Sequence, residues 1–304
     1  MHQHLNGVAP LPHLGVILVE GDDAASFLHG QLTQDFVTLD AGHGRLAAFC
    51  NAKGRMLASF VGFQASTGIA LVVQRDILAP TLKRLSMFVL RAKTKLRDAT
   101  GDYLLHGLAG DTVSGCLPGL QGPWTRAQSG AAVGVELYPA ERIRRAIWMA
   151  PAGSAPPSGD FMAPEIWSWG EVRSGIAAVS SPIVEAFVPQ MLNYESVGGV
   201  NFKKGCYPGQ EIVARSQFRG TLKRRAYLMH GNVPLTAGEE VFHEADATQP
   251  CGLVAQAAPA PEGGWEAIVS IQTAAAQGGL LTVGGPSGSP LELLPLPYLL
   301  MTDV

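Results

Sequence analysis

The chain is distinguished by residues 203–211, which have the sequence Lys-Lys-Gly-Cys-Tyr-Pro-Gly-Gln-Glu. Two glycines and a proline in this stretch favour a tight loop, and the residues that follow predict a short helix ending at Gly220. Cys206 therefore lies just before a helix N-terminus and just after two lysines. The helix N-terminus and the two lysines both favour the thiolate, so an exposed Cys206 is expected to be a reactive thiol. A buried, inert cysteine is the alternative interpretation.

Basic residues are concentrated in two segments of a chain whose net charge is −3. Residues 83–97 carry six basic and no acidic side chains, and residues 203–225 carry seven basic side chains and one acidic. Clustering of this kind is expected of a surface for an anionic ligand if the two segments meet. In residues 90–97 the basic residues alternate, which predicts a strand with one cationic face. That face is either a solvated sheet edge or a wall of an anion-binding groove.

Length and composition indicate a folded protein of one large domain or, by preference, two. Of the 304 residues, 47% are hydrophobic and only 15% are charged, which excludes a disordered or coiled-coil chain. The apolar runs are far shorter than the roughly 18 residues of a membrane span, and no lysine or arginine precedes the first of them as in a signal peptide. We therefore expect a cytoplasmic protein without membrane contact.

The four cysteines are too far apart in sequence to suggest a zinc site or a self-contained iron–sulfur cluster. No two of them form a Cys-x-x-Cys pair. We expect Cys50, Cys116 and Cys251 to be buried structural residues, which leaves Cys206 as the candidate for thiol chemistry.

The apolar pattern predicts two α+β units followed by a β-rich unit. Strand and helix signals alternate between residues 14 and 97, and residues 51–54 have the composition of a tight hairpin turn. Residues 103–149 carry a second set of similar kind, and a loop rich in glycine and proline then precedes a helix that begins at Pro164.

Six short apolar runs after Arg225, most of them separated by turns with glycine or proline, predict a small antiparallel barrel or sandwich. We therefore divide the chain into three predicted subdomains. The first two are α+β units and the third is the small barrel, and they comprise residues 1–100, 101–224 and 225–304.

The segment around Cys206 resembles the signature of the YgfZ family, folate-binding relatives of the aminomethyltransferase (T protein) of the glycine cleavage system. The signature Lys-Gly-Cys-Tyr-x-Gly-Gln-Glu matches at seven specified positions from Lys204 to Glu211. The likeness extends upstream to residues 19–35, 51–56 and 187–193, and downstream to Arg215, Phe218, Arg219, Gly220, Lys223 and Arg224.

This resemblance implies a T-protein-like ring of two α+β subdomains and a C-terminal antiparallel β-barrel around a folate channel. It implies a tetrahydrofolate-binding factor that supports iron–sulfur cluster assembly or repair and thereby tRNA modification, with iron–sulfur proteins or cluster assembly factors as partners. Cys206 is then the candidate reactive thiol. The basic segments suit the glutamate carboxylates of folate. The candidate folate-binding residues are Lys204, Tyr207, Gln210, Glu211, Arg215, Asn193 and Arg173.

Two positions depart from the T proteins. The loop that supplies their catalytic aspartate is matched here by residues 55–59, which contain no carboxylate. Arg173 occupies the position where T proteins carry a glutamate that contacts the pterin. We therefore expect a folate-binding factor without glycine-cleavage activity. The alternative is a tetrahydrofolate-dependent aminomethyl or methyl transferase in which Asp22, Asp23 or Asp35 replaces the aspartate.

Direct nucleic-acid binding is disfavoured by the overall composition. The isoelectric point is near 6.2, and neither basic segment contains the interleaved aromatic residues on which single-stranded nucleic acids stack.

Overall fold

The computed structural model describes residues 5–218 and 222–301. Within these residues the chain forms two five-stranded sheets with helices and one closed six-stranded barrel. This α+β architecture confirms the predicted fold class. Two residues named in the sequence analysis, Arg219 and the predicted helix end Gly220, lie outside the described residues.

The first sheet is antiparallel and has the strand order β3-β4-β5-β2-β6. The hairpin predicted at residues 51–54 is confirmed, because it joins β3 to β4. The elements of this part of the chain are β1 (Gly7–Pro10), β2 (Leu14–Glu20), α1 (Ala24–Gln31), β3 (Gly44–Cys50), β4 (Met56–Ala65), β5 (Gly68–Gln74), α2 (Arg75–Ser86) and β6 (Lys95–Asp98).

The strand predicted over residues 90–97 is wrong for its first five residues, since β6 begins at Lys95. The carboxylate of Asp23 accepts a hydrogen bond from the backbone N–H of Lys93 at 2.7 Å. The backbone N–H of Asp23 donates to the Lys93 carbonyl at 3.3 Å. Lys93 is therefore tied to the beginning of α1, while the Thr94 hydroxyl donates to the Glu20 carbonyl at the end of β2 at 2.9 Å. The Arg97 side chain lies in β6 and pairs with Glu20 and Asp102.

The second sheet has the strand order β1-β7-β10-β9-β8. Strand β1 belongs to it because β1 pairs with β7, although it lies inside the predicted first subdomain. The subdomain boundaries stay predictions. The elements of this part are β7 (Tyr103–Ala109), α3 (Asp111–Cys116), β8 (Arg126–Ser129), β9 (Ala132–Ala140), β10 (Ile143–Pro151), α4 (Pro164–Arg173) and α5 (Gln210–Phe218).

The helix predicted to begin at Pro164 is confirmed as α4. Proline suits this first position because its missing N–H would have no partner there. The Trp167 side chain of α4 is fully buried and packs on Gly107 of β7, where a Cβ would lie 2.4 Å from the indole ring. Gly107 therefore allows α4 to approach the second sheet closely.

The third unit is a closed barrel with the strand order β11-β14-β13-β12-β15-β16. Each of the six apolar runs predicted after Arg225 corresponds to one barrel strand. The strands are β11 (Arg224–Gly231), β12 (Glu240–His243), β13 (Gly252–Pro259), β14 (Trp265–Gln272), β15 (Leu281–Val283) and β16 (Ser289–Leu294).

All four cysteines are free thiols. Cys50 and Cys251 are buried as predicted, but Cys116 is partly exposed because it ends the short surface helix α3. Cys206 is exposed. None of the helices within residues 5–218 and 222–301 combines the length and the apolar character that crossing a bilayer requires.

The close contact at Gly107 predicts a cost for any side chain there. A Gly107→Ala variant should lower the free energy of unfolding by about 1–3 kcal/mol, because the new methyl group overlaps the Trp167 ring. Urea denaturation measures this change. Gly30→Ala is the control: Gly30 lies in α1 with open space around its Cβ position, so alanine should be neutral or stabilise by up to about 1 kcal/mol. Equal effects at the two positions would contradict the explanation.

Candidate functional site

The loop that carries Cys206 packs against the turn between β3 and β4. Gly209 has a φ of +81°, and a Cβ there would lie 2.4 Å from the carbonyl oxygen of Asn51. Gly54 has a φ of +71°, and its Cβ would lie 3.1 Å from that of Ile212 in α5. Two glycines thus let the two backbones touch. The structure therefore brings together two sequence segments that carry the family resemblance.

Lys204 is a buried side chain that fastens this loop to the first sheet. Its ammonium donates hydrogen bonds to the carbonyl oxygens of His29 and, at 3.0 Å, Leu32. These carbonyls lie at the C-terminal end of α1, where helix carbonyls lack intrahelical partners and a positive charge is favourable. The ammonium also lies 4.6 Å from the centre of the buried Tyr207 ring. Lys204 and Tyr207 are therefore held inside the protein.

Cys206 follows this anchor and is exposed. The imidazole of His29 faces the same loop, since its Nε2 lies 3.3 Å from the position that a Cβ of Gly205 would occupy. The Nδ1–H of His29 donates to the Asp35 carboxylate at 2.8 Å. Sequence reasoning did not connect His29 or Asp35 with Cys206, although both residues lie in the segment 19–35 that resembles the family.

The remaining candidates near this loop lie on α5. Gln210 is its first residue and is partly buried, while Glu211 and Arg215 are largely exposed and form an ion pair of 2.7 Å with each other. Glu211 therefore points to solvent. These assignments as folate ligands stay predictions.

Asn193 joins the second unit to the barrel. It is fully buried and has a left-handed backbone, with φ at +59°. Its side-chain amide donates to the Ala226 carbonyl of β11 at 2.8 Å and to the Tyr298 hydroxyl at 3.2 Å. Its side-chain oxygen accepts a hydrogen bond from the Ala226 N–H at 3.3 Å.

Arg173 lies at the end of α4, between two carboxylates. Its guanidinium contacts Glu141 and, at 3.4 Å, Glu266 of the barrel. These three residues line a cavity between the second sheet and the barrel, together with Trp169 and Leu294. The positive charge that sequence analysis noted is therefore balanced by carboxylates from two units.

A second cavity lies where the three units meet. Its walls are mostly apolar and aromatic, and none of Asp22, Asp23 and Asp35 is among its described lining residues. The first sheet, the second sheet, α4 and the barrel all contribute to the lining, which includes Ser59, Phe60, Val61, Trp124, Leu137, Tyr138, Arg145, Ile147, Glu171, Tyr194 and Gln256.

Arg145 and Glu171 are the charged residues among the described residues that line this cavity. Arg145 is 1% exposed, and its guanidinium stacks on the Trp167 ring at 4.4 Å. Its Nε and Nη2 have no hydrogen-bond partner among the described residues. Burial lowers the Arg145 pKa to about 10, although Glu171 opposes this shift. A buried cation with unused donors is expected where a ligand with acceptor oxygens or nitrogens binds.

Glu171 is held by neutral donors on two sides. Its Oε1 accepts from the Trp167 indole N–H at 3.1 Å, and its Oε2 accepts from Gln256 of the barrel at 3.3 Å. His13 approaches Oε1 at 3.5 Å. Arg145 and Glu171 were not predicted from the sequence. The available signal was an arginine next to the apolar run that ends β10.

Comparisons with known proteins agree with the fold and the motif. No protein-family model matches the chain. The tRNA-modifying protein YgfZ of Sodalis glossinidius is 30% identical over 300 residues, which cover 93% of this chain and 90% of that protein. The protein of the same name from Cronobacter sakazakii is 29% identical, with 92% and 89% covered.

A solved structure shows the same fold. The glycine cleavage system aminomethyltransferase T from Bartonella henselae matches with a TM-score of 0.67 and 16% identity, over 98% of this chain and 88% of that one. The predicted T-protein-like arrangement is therefore confirmed.

The buried Lys204 predicts a pH dependence of stability. Burial lowers its pKa from an ordinary 10.5 to about 8, and Asp35 and Cys206 oppose this shift. Between these pH values the unfolded chain binds the proton that the folded protein has lost. The contribution of Lys204 to the free energy of unfolding should therefore rise with pH, by up to about 1.4 kcal/mol per pH unit.

Denaturation of the wild type and of Lys204→Met from pH 7 to 10.5 measures this contribution as the difference between the two proteins. Lys203→Met is the matched control, because the exposed Lys203 should give a difference that is flat with pH. A flat difference for Lys204→Met would show that its ammonium keeps an ordinary pKa.

Proposed function

The chain belongs to the YgfZ family of tRNA-modifying proteins, and we propose that it is a tetrahydrofolate-binding factor that supports iron–sulfur cluster assembly or repair. Through this support it would act on tRNA modification, which the name of its relatives records. The proposal has two parts. One concerns a ligand in the cavity between the three units, and the other concerns the thiol of Cys206.

The unused Nε and Nη2 donors of the buried Arg145 guanidinium are the observation that carries the first part. Folate has a flat pterin ring with several hydrogen-bonding edges, a linking aromatic ring and a carboxylate tail. The cavity offers Arg145 as a donor and Glu171 as an acceptor between aromatic and aliphatic walls. This donor set fits the ligand because both charged groups would be satisfied by complementary atoms. When bound, tetrahydrofolate supplies one-carbon chemistry at its ring nitrogens.

Glu171 offers a replacement for the glutamate that sequence comparison finds missing at Arg173. The Glu171 carboxylate lines the central cavity, whereas Arg173 lines the other cavity, beside Glu141 and Glu266. We therefore propose that Glu171 accepts hydrogen bonds from the pterin. The change at Arg173 is then compatible with folate binding, since its charge is balanced elsewhere.

Exposure of Cys206 supports the second part. A chain with one exposed, lysine-flanked thiol lacks the four cysteine ligands of a conventional cluster. An iron–sulfur protein or an assembly factor would have to provide the remaining ligands or the reaction partner. The surface position of Cys206 makes the thiol accessible to such a partner.

Arg145 tests the folate site. Arg145→Met should weaken tetrahydrofolate binding at least about tenfold in isothermal titration calorimetry, because it removes charge-assisted donors. The variant should be no less stable than the wild type, since it replaces a buried cation whose Nε and Nη2 lack hydrogen-bond partners among the described residues. Arg142→Met is the control, because Arg142 is exposed and does not line the cavity. If Arg145→Met binds tetrahydrofolate with unchanged affinity, the ligand does not bind in this cavity.

Cys206 tests the cellular role. A deletion strain that expresses Cys206→Ala should show the low activity of iron–sulfur enzymes and the low tRNA thiolation of the strain without the gene. Cys116→Ala is the control, because it removes a different thiol that is partly exposed. This variant should restore enzyme activity and tRNA thiolation to wild-type levels. If Cys206→Ala fully restores enzyme activity and tRNA thiolation, this thiol takes no part in the mechanism.

A further inference from the structure

The loop that carries Cys206 is faced by a histidine that is paired with a carboxylate. We propose that His29, oriented by Asp35, accepts the proton of the Cys206 thiol and so makes Cys206 a nucleophile near neutral pH. This deepens the proposed function by assigning a base to its thiol, and its cellular meaning rests on that function.

Asp35 is fixed as an anion. Its Oδ1 accepts hydrogen bonds from His29 at 2.8 Å and from the backbone N–H groups of Val37 at 2.9 Å and Thr38 at 3.2 Å. Burial acts to raise the pKa of this carboxyl, but the hydrogen bonds from His29 and Thr38 outweigh it, so the pKa is lowered. An anionic acceptor keeps the imidazole proton on Nδ1. The lone pair of neutral His29 is therefore on Nε2.

Nε2 faces the loop that carries the thiol. It lies 3.3 Å from the Cβ position of Gly205, the residue before Cys206, and consecutive Cα atoms are about 3.8 Å apart. Lys204 fixes the loop on this side, because its ammonium binds the carbonyl of His29 itself. Gly205 has no side chain, which leaves the space between the ring and the loop open.

The thiol makes no hydrogen bond to the ring in this conformation of the described residues. Catalytic pairs are often separated in this way before a substrate binds, and they close in the reacting complex.

The proton transfer balances without another reactant. The S–H bond of Cys206 breaks, its electron pair stays on sulfur, and the proton forms a bond to Nε2 of His29. The resulting imidazolium is stabilised by the Asp35 carboxylate, as in other nucleophile–histidine–aspartate sites. In a reaction with iodoacetamide the thiolate then forms an S–C bond while the C–I bond breaks and iodide leaves.

Other charged or titratable groups around the pair modify this reaction without replacing its base. The Lys204 ammonium donates hydrogen bonds to carbonyl oxygens, so it acts here as a donor and not as the base. The remaining such groups on the loop, the turn and α5 are Lys203, Tyr207, Lys53, Glu211 and Arg215, of which all but Tyr207 are exposed.

The protein contains a matched control for the histidine. His43 also donates from Nδ1 to an aspartate, Asp40, at 2.7 Å, and this pair is exposed. Its backbone bridges Thr125 of the second unit. A His43→Gln variant thus removes a similar pair elsewhere in the molecule.

The experiment measures the alkylation rate of Cys206 by iodoacetamide between pH 5.5 and 9, with each cysteine resolved by mass spectrometry in the full-length protein. His29→Gln should slow the reaction at pH 7 about tenfold and move the pH profile upward. His43→Gln should match the wild type. Gly205→Ala keeps both reacting residues but pushes the ring away, so it should also slow the reaction.

A His29→Gln profile that coincides with the wild-type profile would overturn the inference, as would a Gly205→Ala rate equal to that of the wild type. Each variant is first shown to be folded by its thermal unfolding. The proposed function is tested by a different assay, namely whether Cys206→Ala complements the deletion strain. Its failure can therefore be told apart from failure of the inference about His29. Slow alkylation of His29→Gln together with full complementation by Cys206→Ala would therefore support the assisted thiol and reject its cellular role.

Discussion

The buried ammonium of Lys204 is the interaction on which the arrangement around Cys206 depends. It bridges the end of α1 and the 203–211 loop, which are more than 170 residues apart in sequence. The helix end and the ammonium stabilise each other, because the positive charge is favourable at the helix C-terminus and the carbonyl oxygens satisfy the buried ammonium. The loop can then meet the turn at Gly54 without any side chain between the backbones. The Lys204 ammonium and the two glycines, Gly54 and Gly209, thus determine the position of the loop that carries the Cys206 thiol.

The two parts of the proposed function occupy different places in the fold. Arg145 and Glu171 are enclosed between the three units, while Cys206 is on the surface of the loop. A ligand in the cavity would contact all three units at once and could stabilise their mutual positions. The thiol depends on local anchors from the first unit. Binding and thiol chemistry can therefore be altered separately by substitution.

Local sequence signals predicted much of the fold. The turn at 51–54, the helix start at Pro164 and the six barrel strands follow from glycine, proline and short apolar runs, which act within a few residues. The strand over residues 90–97 was predicted too long because a contact with Asp23, some 70 residues away, overrides the alternating pattern. No local pattern records such a contact.

The candidate site was only partly predictable for the same reason. The motif around Cys206 was recognisable, but the role of Lys204 as a helix anchor depends on α1. Arg145 was missed because an arginine in a strand has the same pattern whether it faces solvent or a cavity. Its significance comes from its burial and its unused donors, which appear only when the three units are assembled.

Strand β1 gives the first sheet an unusual relation to the rest of the chain. Because β1 and β7 are neighbours in the second sheet, the polypeptide leaves that sheet, builds residues 14–98 and returns beside its point of departure. The first sheet is thus topologically an insertion between two adjacent strands, with its ends close together, as in domains that were spliced into a host. During synthesis about a hundred further residues are added after β1 before its partner β7 is made. The strands of the inserted sheet can therefore pair with one another first.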